Sequence, residues 1–361
     1  MSTSSSCSVC GTGFTPRFAF QIQRSAEQVL YFCSQNCHED HLFAAESRAC
    51  SVCKETFRLQ FAYQQTQVDG ETRFYCTTTC RQAELAEVER RRSSMRRIAV
   101  LNQKGGTGKT TTSVNVAAGL ADQGFRVLLM DLDAQGNVAV SLGLSAQYTL
   151  YHVLVEGMHP VDCIVQVAPN LDALISNTSL AQAEARLVTA AERYKVLANR
   201  MERVTNYDYV IMDCAPSLSV LNQNALTYAD HILIPVSCDY LSLVGVRQVL
   251  RTLKKVNEIL LQPVSVLGVV PTFYDKRTRI SQEAMTTLQA YFKDKVFPPI
   301  HVNTRLKEAP SHKKTIFEHD PEGRGAEDYR ELVRMIVARC QGVRPSPEEA
   351  GREEDDELQL A

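Results

Sequence analysis

The sequence predicts an α/β protein, with a mostly parallel sheet carrying helices on both faces, preceded by two small metal-binding units. Three observations carry this. From Arg97 onward short apolar runs alternate with helical stretches, the pattern of a parallel sheet. Eight of the 12 cysteines fall in the first 80 residues, in a repeated spacing. A glycine-rich loop ending in Lys109-Thr110 stands between the first apolar run and the first helical stretch. A length of 361 residues leaves room for two or three domains. A formal charge of −2, with 44% hydrophobic and 22% charged residues, excludes a wholly disordered chain and a supercharged nucleic-acid coat. No apolar run approaches the roughly 20 residues that span a bilayer. The start, Met1 to Ser6, is polar and lacks the apolar core of a secretory signal, so a cytoplasmic chain is expected.

The cysteines come first in the chain. Cys7, Cys10, Cys33 and Cys37 recur 43 positions later as Cys50, Cys53, Cys76 and Cys80, and the surrounding Cys-Ser-Val-Cys recurs with them. This is an internal duplication. Each copy reads C-x2-C, 22 residues, C-x3-C. The C-x2-C pair suits a tight knuckle, and C-x3-C puts two thiols one helical turn apart. Four thiolates close one tetrahedral zinc site, so two Zn2+ per chain are expected. A unit this small has too little core to fold alone, and a metal supplies the missing stability. A disulfide framework would belong to a secreted protein. We place the units at residues 1–45 and 46–89. Their C-x2-C and Tyr-Phe-Cys-Ser-x2-Cys segments resemble small treble-clef zinc fingers of the TRASH, YHS and MYM kind, more closely in the first copy. His38 and His41 are read as surface residues, since four cysteines already fill the shell.

A helical stretch over 82–90 leads to a basic linker at 90–96. Five arginines lie between Arg90 and Arg97. They fit either a solvated linker or a contact to nucleic-acid phosphates. Beyond it, Ile98–Asn102, Val127–Asp131, Tyr209–Asp213, His231–Val236 and Val264–Val270 read as buried strands. Helices are expected near Thr110–Gln123, Ser179–Val204, Leu218–Tyr228, Ser242–Leu260, Ile280–Lys293 and Ala326–Arg339. The segment from Val343 onward carries the acidic run Glu353 to Glu357 and reads as a disordered tail.

The loop Lys104-Gly105-Gly106-Thr107-Gly108-Lys109-Thr110, with Thr111, follows a strand and opens a helix, as a phosphate loop must. Its glycines let backbone amides converge on phosphates, and the helix N-terminus adds its dipole. Lys109 would neutralise the β- and γ-phosphates of ATP, and the Thr110 hydroxyl would ligate Mg2+. Gln103 stands where the usual loop begins with glycine, and Lys104 adds a second lysine.

Here the sequence resembles the deviant Walker A ATPases of the ParA/Soj branch. Asp131-Leu132-Asp133-Ala134-Gln135-Gly136-Asn137 is similar to that family's D-x-D-P-Q-G-N segment. Tyr209 to Asp213 is a Walker B strand, continuing as Cys214-Ala215-Pro216-Ser217-Leu218. The likeness runs from about Arg97 to Gly342, the segment we take as the ATPase domain, on a P-loop NTPase fold. It implies that Asp133 positions or activates the attacking water, that Asp131 supports the magnesium shell and that Asp213 holds magnesium. It implies that Lys104 reaches across a homodimer closed by ATP. It implies slow hydrolysis stimulated by a ParB-like or other cargo adaptor. It implies non-specific binding to nucleoid DNA through Arg305 and Arg324, in the service of positioning a chromosome, plasmid or protein cluster; no membrane partner is expected, because the segment after Gly342 is acidic and offers no basic amphipathic helix. A MinD-like spatial regulator, a cluster scaffold on the same fold and a zinc-finger DNA-binding regulator are the alternatives. The isolated Cys163, Cys214, Cys238 and Cys340 are expected to be buried packing residues or at least not ligands.

Overall fold

The computed structural model describes residues 4–24, 28–68, 71–189, 192–217, 219–238 and 264–342. The helix expected over Ser242–Leu260, Leu218 and the acidic segment from Val343 lie outside them. The chain divides into two compact units, Met1–Arg90 and Arg91–Ala361.

The duplication in the first unit extends to its hydrogen bonds. In the first copy Ser5–Ser6 pairs with Gly13–Phe14 and Ile22–Arg24 with Val29–Tyr31, followed by the helix Gln35–Glu46. In the second copy Ser47–Ala49 pairs with Thr56–Arg58 and Gln65–Val68 with Glu71–Phe74, followed by the helix Thr78–Ser94. The buried amide of Gln21 accepts from the N–H groups of Arg17 and Phe18 and donates to the Cys33 carbonyl. Gln64 repeats this with Gln60, Phe61 and Cys76. His38 and His41 are not free surface groups. Both pack on the buried Phe32, with ring centroids at 4.9 and 5.2 Å.

The arginine-rich segment is regular backbone rather than an open linker: helix to Ser94, then strand from Arg96. Arg97 forks onto Asp230 through Nε and Nη2, and the Arg97 N–H donates to the same carboxylate at 2.9 Å. Arg96 Nε donates to the Cys340 carbonyl at 3.2 Å. These two arginines serve the second unit's own structure.

We number the strands of that unit β1 (Arg96–Val100), β2 (Val127–Leu132), β3 (Val165–Ala168), β4 (Leu171–Leu174), β5 (Tyr209–Cys214), β6 (His231–Ser237) and β7 (Ser265–Thr272). Among the described residues they form one sheet of order β3-β4-β2-β5-β1-β6-β7. All pairings are parallel except β3 with β4. Every residue of β2 and β5 is buried, which is why both read as apolar runs up to their strand-end acids, Asp131 and Asp213. Side chains alternate between the two faces: Ile98 and Val100 enter one core, Ala99 and Leu101 the other. The principal helices are α1 (Lys109–Asp122), α2 (Val220–Tyr228), α3 (Arg279–Phe292), α4 (Thr304–Glu308) and α5 (Arg324–Gly342). α1 crosses α5 closely at Gly119, where an added Cβ would come within 2.9 Å of Val333 Cγ2.

Two expectations differ from the structure. The pair β3 and β4 was not expected; each is four residues long. The single helix over Ser179–Val204 is two short ones, Leu180–Leu187 and Val196–Arg200. Glu192 between them has φ +51°, a left-handed conformation that a continuous helix excludes.

Candidate functional site: a phosphate loop, two strand-end carboxylates and two cysteine clusters

Sheet register assembles the site. Asp131 of β2 lies opposite Asp213 of β5, and Asp213 lies opposite Val100 of β1. The loop that leaves β1 therefore emerges beside both acids, at the carboxyl edge where open α/β sheets bind ligands.

The loop geometry requires its glycines. Gly106 has φ +72° and Gly108, the N-cap of α1, has φ +82°. A Cβ at Gly106 would meet nothing within 4 Å, so the backbone conformation rather than space demands glycine there. Gly105 and Gly106 are exposed, whereas Thr107 is buried and its carbonyl accepts from Thr272 Oγ1 at 2.9 Å. Asn102 braces the start: its Nδ2 donates to the Pro235 carbonyl at 2.7 Å and its Oδ1 accepts from the Lys104 N–H at 3.0 Å. The Lys109 ammonium folds back over the loop and donates to the Lys104 carbonyl at 3.0 Å. Burial pulls the Lys109 ammonium's pKa down, against the pull of Asp213 and Asp133.

Asp213 is 1% exposed and accepts from two α1 hydroxyls, Thr110 Oγ1 at 2.7 Å and Ser113 Oγ at 2.9 Å. Asp131 is fully buried and accepts from the N–H groups of Asp133 and Val138. Burial raises both carboxyls, and Asp213 raises Asp131 further. Two desolvated carboxylates side by side are costly without a cation. A carboxylate and a threonine hydroxyl 2.7 Å apart are hard oxygen donors of the kind magnesium takes, so the residues fit that ion. Asp133 is half-buried, with its Oδ1 accepting from the Gln135 N–H at 3.0 Å.

Ser113 is a site residue the motif reading missed. It lies one turn after Lys109 on the face of α1 that meets Asp213, so helical spacing carried the signal. A second omission has no local signal. A cavity of 310 Å³ beside Gly108 and Thr111 is walled by Thr272, Phe273, His301 and Asn303, drawn from distant parts of the chain. Arg305 on α4 and Arg324 at the start of α5 do not line it, but each bonds to a residue that does, Asn303 and His301. The two arginine side chains are 59% and 54% exposed; Arg305 pairs with Glu308, and Arg324 with His301.

In the first unit the sulfurs of Cys7, Cys10, Cys33 and Cys37 lie within 4.8 Å of one another, as do those of Cys50, Cys53, Cys76 and Cys80. Cys10 to Cys33 is 3.4 Å, and so is Cys53 to Cys76. Tetrahedral Zn–S bonds of about 2.3 Å need sulfurs roughly 3.8 Å apart. The two clusters therefore fit zinc-binding units. The Cys10 backbone amide, first among several, pulls the Cys7 thiol down to about 6. Cys163, Cys214, Cys238 and Cys340 are all buried and belong to neither cluster. No described helix is long and apolar enough to cross a membrane.

A glycine-lysine-threonine loop, a strand-end carboxylate bonded to its threonine and a second acidic strand end define a P-loop ATPase. Comparison with known proteins narrows the class. The AAA domain family matches residues 95–266. The sporulation initiation inhibitor protein Soj of Bacillus subtilis is 43% identical over 247 residues, covering 67% of this chain and 98% of Soj. The chromosome partitioning protein ParA of Caulobacter vibrioides is 38% identical over 253 residues, covering 68% of this chain and 95% of ParA. Among solved structures, cobyrinic acid a,c-diamide synthase of Mycobacterium smegmatis with bound ADP and magnesium superposes with a TM-score of 0.60 at 34% identity. That match covers 69% of this chain and 97% of the synthase. The chain belongs to the Soj/ParA family of ATPases.

Proposed function

We propose that this chain is an ATP-dependent dimerising switch that binds DNA without sequence preference and positions a cargo along it. The observation that carries the reading is the second loop lysine. Lys104 stands in a loop whose own Lys109 already serves the phosphates. This arrangement suits a lysine supplied to a partner subunit's ATP, acting as an arginine finger does. ATP then forms part of the dimer interface, and hydrolysis releases it. Asp133 orients the attacking water, Asp131 supports the magnesium shell, and Thr110 with Asp213 holds magnesium, which neutralises phosphate charge. The loop Gly105–Thr111 binds the phosphates, and the 310 Å³ cavity takes the nucleoside.

Arg305 and Arg324 contact DNA phosphates, and their exposure supports that role. The finger pair, residues 1–45 and 46–89, holds one zinc ion per copy. It docks a protein partner, and residues 97–342 form the ATPase domain. A ParB-like or other adaptor stimulates hydrolysis. The switch then works as a nucleoid-associated cytoplasmic timer for a chromosome, plasmid or protein cluster; chromosome partitioning is what the name of the Caulobacter relative gives for that protein.

DNA binding of the purified protein with ATP, with ADP and without nucleotide, at two salt concentrations, tests the reading. Binding is expected only with ATP and is expected to weaken with salt. Equal binding in all three states overturns it. Asp133→Ala is expected to elute as an ATP-bound dimer in gel filtration, and a monomer contradicts the dimer switch.

A further inference from the structure

His301 stands where two features meet. Its ring lines the 310 Å³ cavity beside Gly108 and Thr111. Its Nδ1 lies 3.2 and 3.0 Å from the two carboxylate oxygens of Asp328, and its backbone N–H donates to Asp328 Oδ2 at 2.8 Å. Its Nε2 lies 2.9 Å from Nη2 of Arg324. An arginine only donates, so Nε2 accepts; an ionised carboxylate only accepts, so Nδ1 carries the proton. Both ring nitrogens are thus committed. The ring is fixed further by Tyr274, edge-on at 5.4 Å. The holders face inward and the held group outward: side-chain exposure is 10% for Asp328, 19% for His301 and 54% for Arg324.

The next residues of the same wall do similar work. Asn303 lines the cavity, and its Oδ1 accepts from the Arg305 N–H at 2.7 Å, capping the helix that carries Arg305. Gly325 lies so close that an added Cβ would come within 3.1 Å of Asn303 Nδ2. The segments bearing the two arginines therefore start side by side.

From this geometry we infer that His301 is a positioning residue for Arg324. It presents the guanidinium to a phosphate backbone from a wall shared with the nucleotide cavity. The inference rests on the reading of Arg324 as a DNA contact. A guanidinium held by His301 through Nη2, with its Nε 3.9 Å from Asp328 Oδ1, has given up part of its rotamer freedom before a phosphate arrives, which favours binding. Arg324 keeps further N–H donors for that phosphate. Neither residue would be selected for this by charge alone, since Asp328 offsets Arg324. The pairing makes sense as orientation rather than as added positive field.

The test uses the full chain saturated with ATP and a mixed-sequence DNA duplex at two salt concentrations. The variants are Arg324→Ala, His301→Leu, His301→Gln and the double variant His301→Leu/Arg324→Ala. Arg324→Ala is expected to weaken binding about tenfold and to lower the salt slope by about one. His301→Leu fills the volume without an acceptor and is expected to cost about fivefold. The double variant is expected to bind no worse than Arg324→Ala. His301→Gln, whose amide oxygen accepts where Nε2 does, is expected to recover most of the loss. Merely structural damage at His301 would instead add to the Arg324 loss and would not be rescued by Gln. If Arg324→Ala weakens binding while His301→Leu does not, or if the two losses add, the positioning role is overturned. If Arg324→Ala changes nothing, the DNA role of Arg324 falls, and the inference with it. Should His301→Leu fail to fold, His301→Ala takes its place in the same cycle.

Discussion

Replacing Asp213 by Asn is expected to stabilise the metal-free protein while abolishing magnesium-dependent hydrolysis. Asp213 is 1% exposed, and burial pushes its carboxyl from an ordinary 3.8 to about 6. Thr110 and Ser113 donate to it and pull the other way, but burial prevails. The native state therefore binds this proton more tightly than the unfolded chain does. Stability from this group is greatest below the unfolded value and falls as pH rises from about 4 to about 6. Above that window the ionised carboxylate costs the fold its full penalty. At about 1.4 kcal/mol per pH unit of displacement the penalty is roughly 3 kcal/mol. Asparagine keeps the shape and removes the charge; its Oδ1 accepts from one hydroxyl while its amide nitrogen faces the other. Its new amide hydrogens find hydroxyl lone pairs at best partly, so about 1–3 kcal/mol of gain is expected. Asp131, which Asp213 also raises, gains in the same direction. A gain of 1 kcal/mol moves the melting point by about 2–4 °C in a domain of this size. The assay is thermal unfolding in a chelator without nucleotide, beside ATP turnover with magnesium. A variant that melts below the parent under chelation refutes the argument that this carboxylate is held against its own solvation for the sake of a cation.

The remaining predictions concern packing and the cysteine clusters. Gly119→Ala improves helix propensity by up to about 1 kcal/mol, yet its methyl would sit 2.9 Å from Val333 Cγ2 and 3.1 Å from Phe317. Overpacking of about 1–3 kcal/mol wins, so urea unfolding is expected at lower denaturant; a higher midpoint refutes the close approach of α1 and α5. Metal analysis of the full chain is expected to find two zinc ions, and one in either Cys33→Ser or Cys76→Ser. Full zinc content in both variants contradicts the ligand sets.

The parts of this molecule that were legible from sequence are those whose cause is local. β2 and β5 are apolar up to their strand-end acids because helices cover both their faces, and such runs announce themselves. Lys109, Thr110, Asp131 and Asp213 were legible because a phosphate loop and a strand-end acid each lie within a few residues. The pair β3 and β4 was not, since four-residue strands with Gln166 and Asp172 in them show no clear period. The duplication was legible down to Gln21 and Gln64 only in retrospect: a glutamine that ties three backbone groups together looks like any surface glutamine until the turn closes around it.

The wall formed by Ile300, His301 and Asn303 shows the limit most clearly. Nothing in the order His-Val-Asn announces a cavity, a helix cap and a guanidinium holder. Those roles exist because β7 ends at Thr272 beside Gly108, and because Tyr274 and Ile300 are joined by a backbone hydrogen bond of 3.1 Å. That bond brings a segment 26 residues further on against the loop that opens α1. The phosphate loop and the exposed arginines were each predicted as separate motifs. The structure places a single histidine between the loop's cavity and Arg324, and a single asparagine between that cavity and Arg305. The cavity wall and the two exposed arginines thus share a support within one subunit. For that reason the double-variant cycle at His301 and Arg324, run at saturating ATP in every arm, reads positioning within one subunit, whatever the proposed ATP-dependent dimer does.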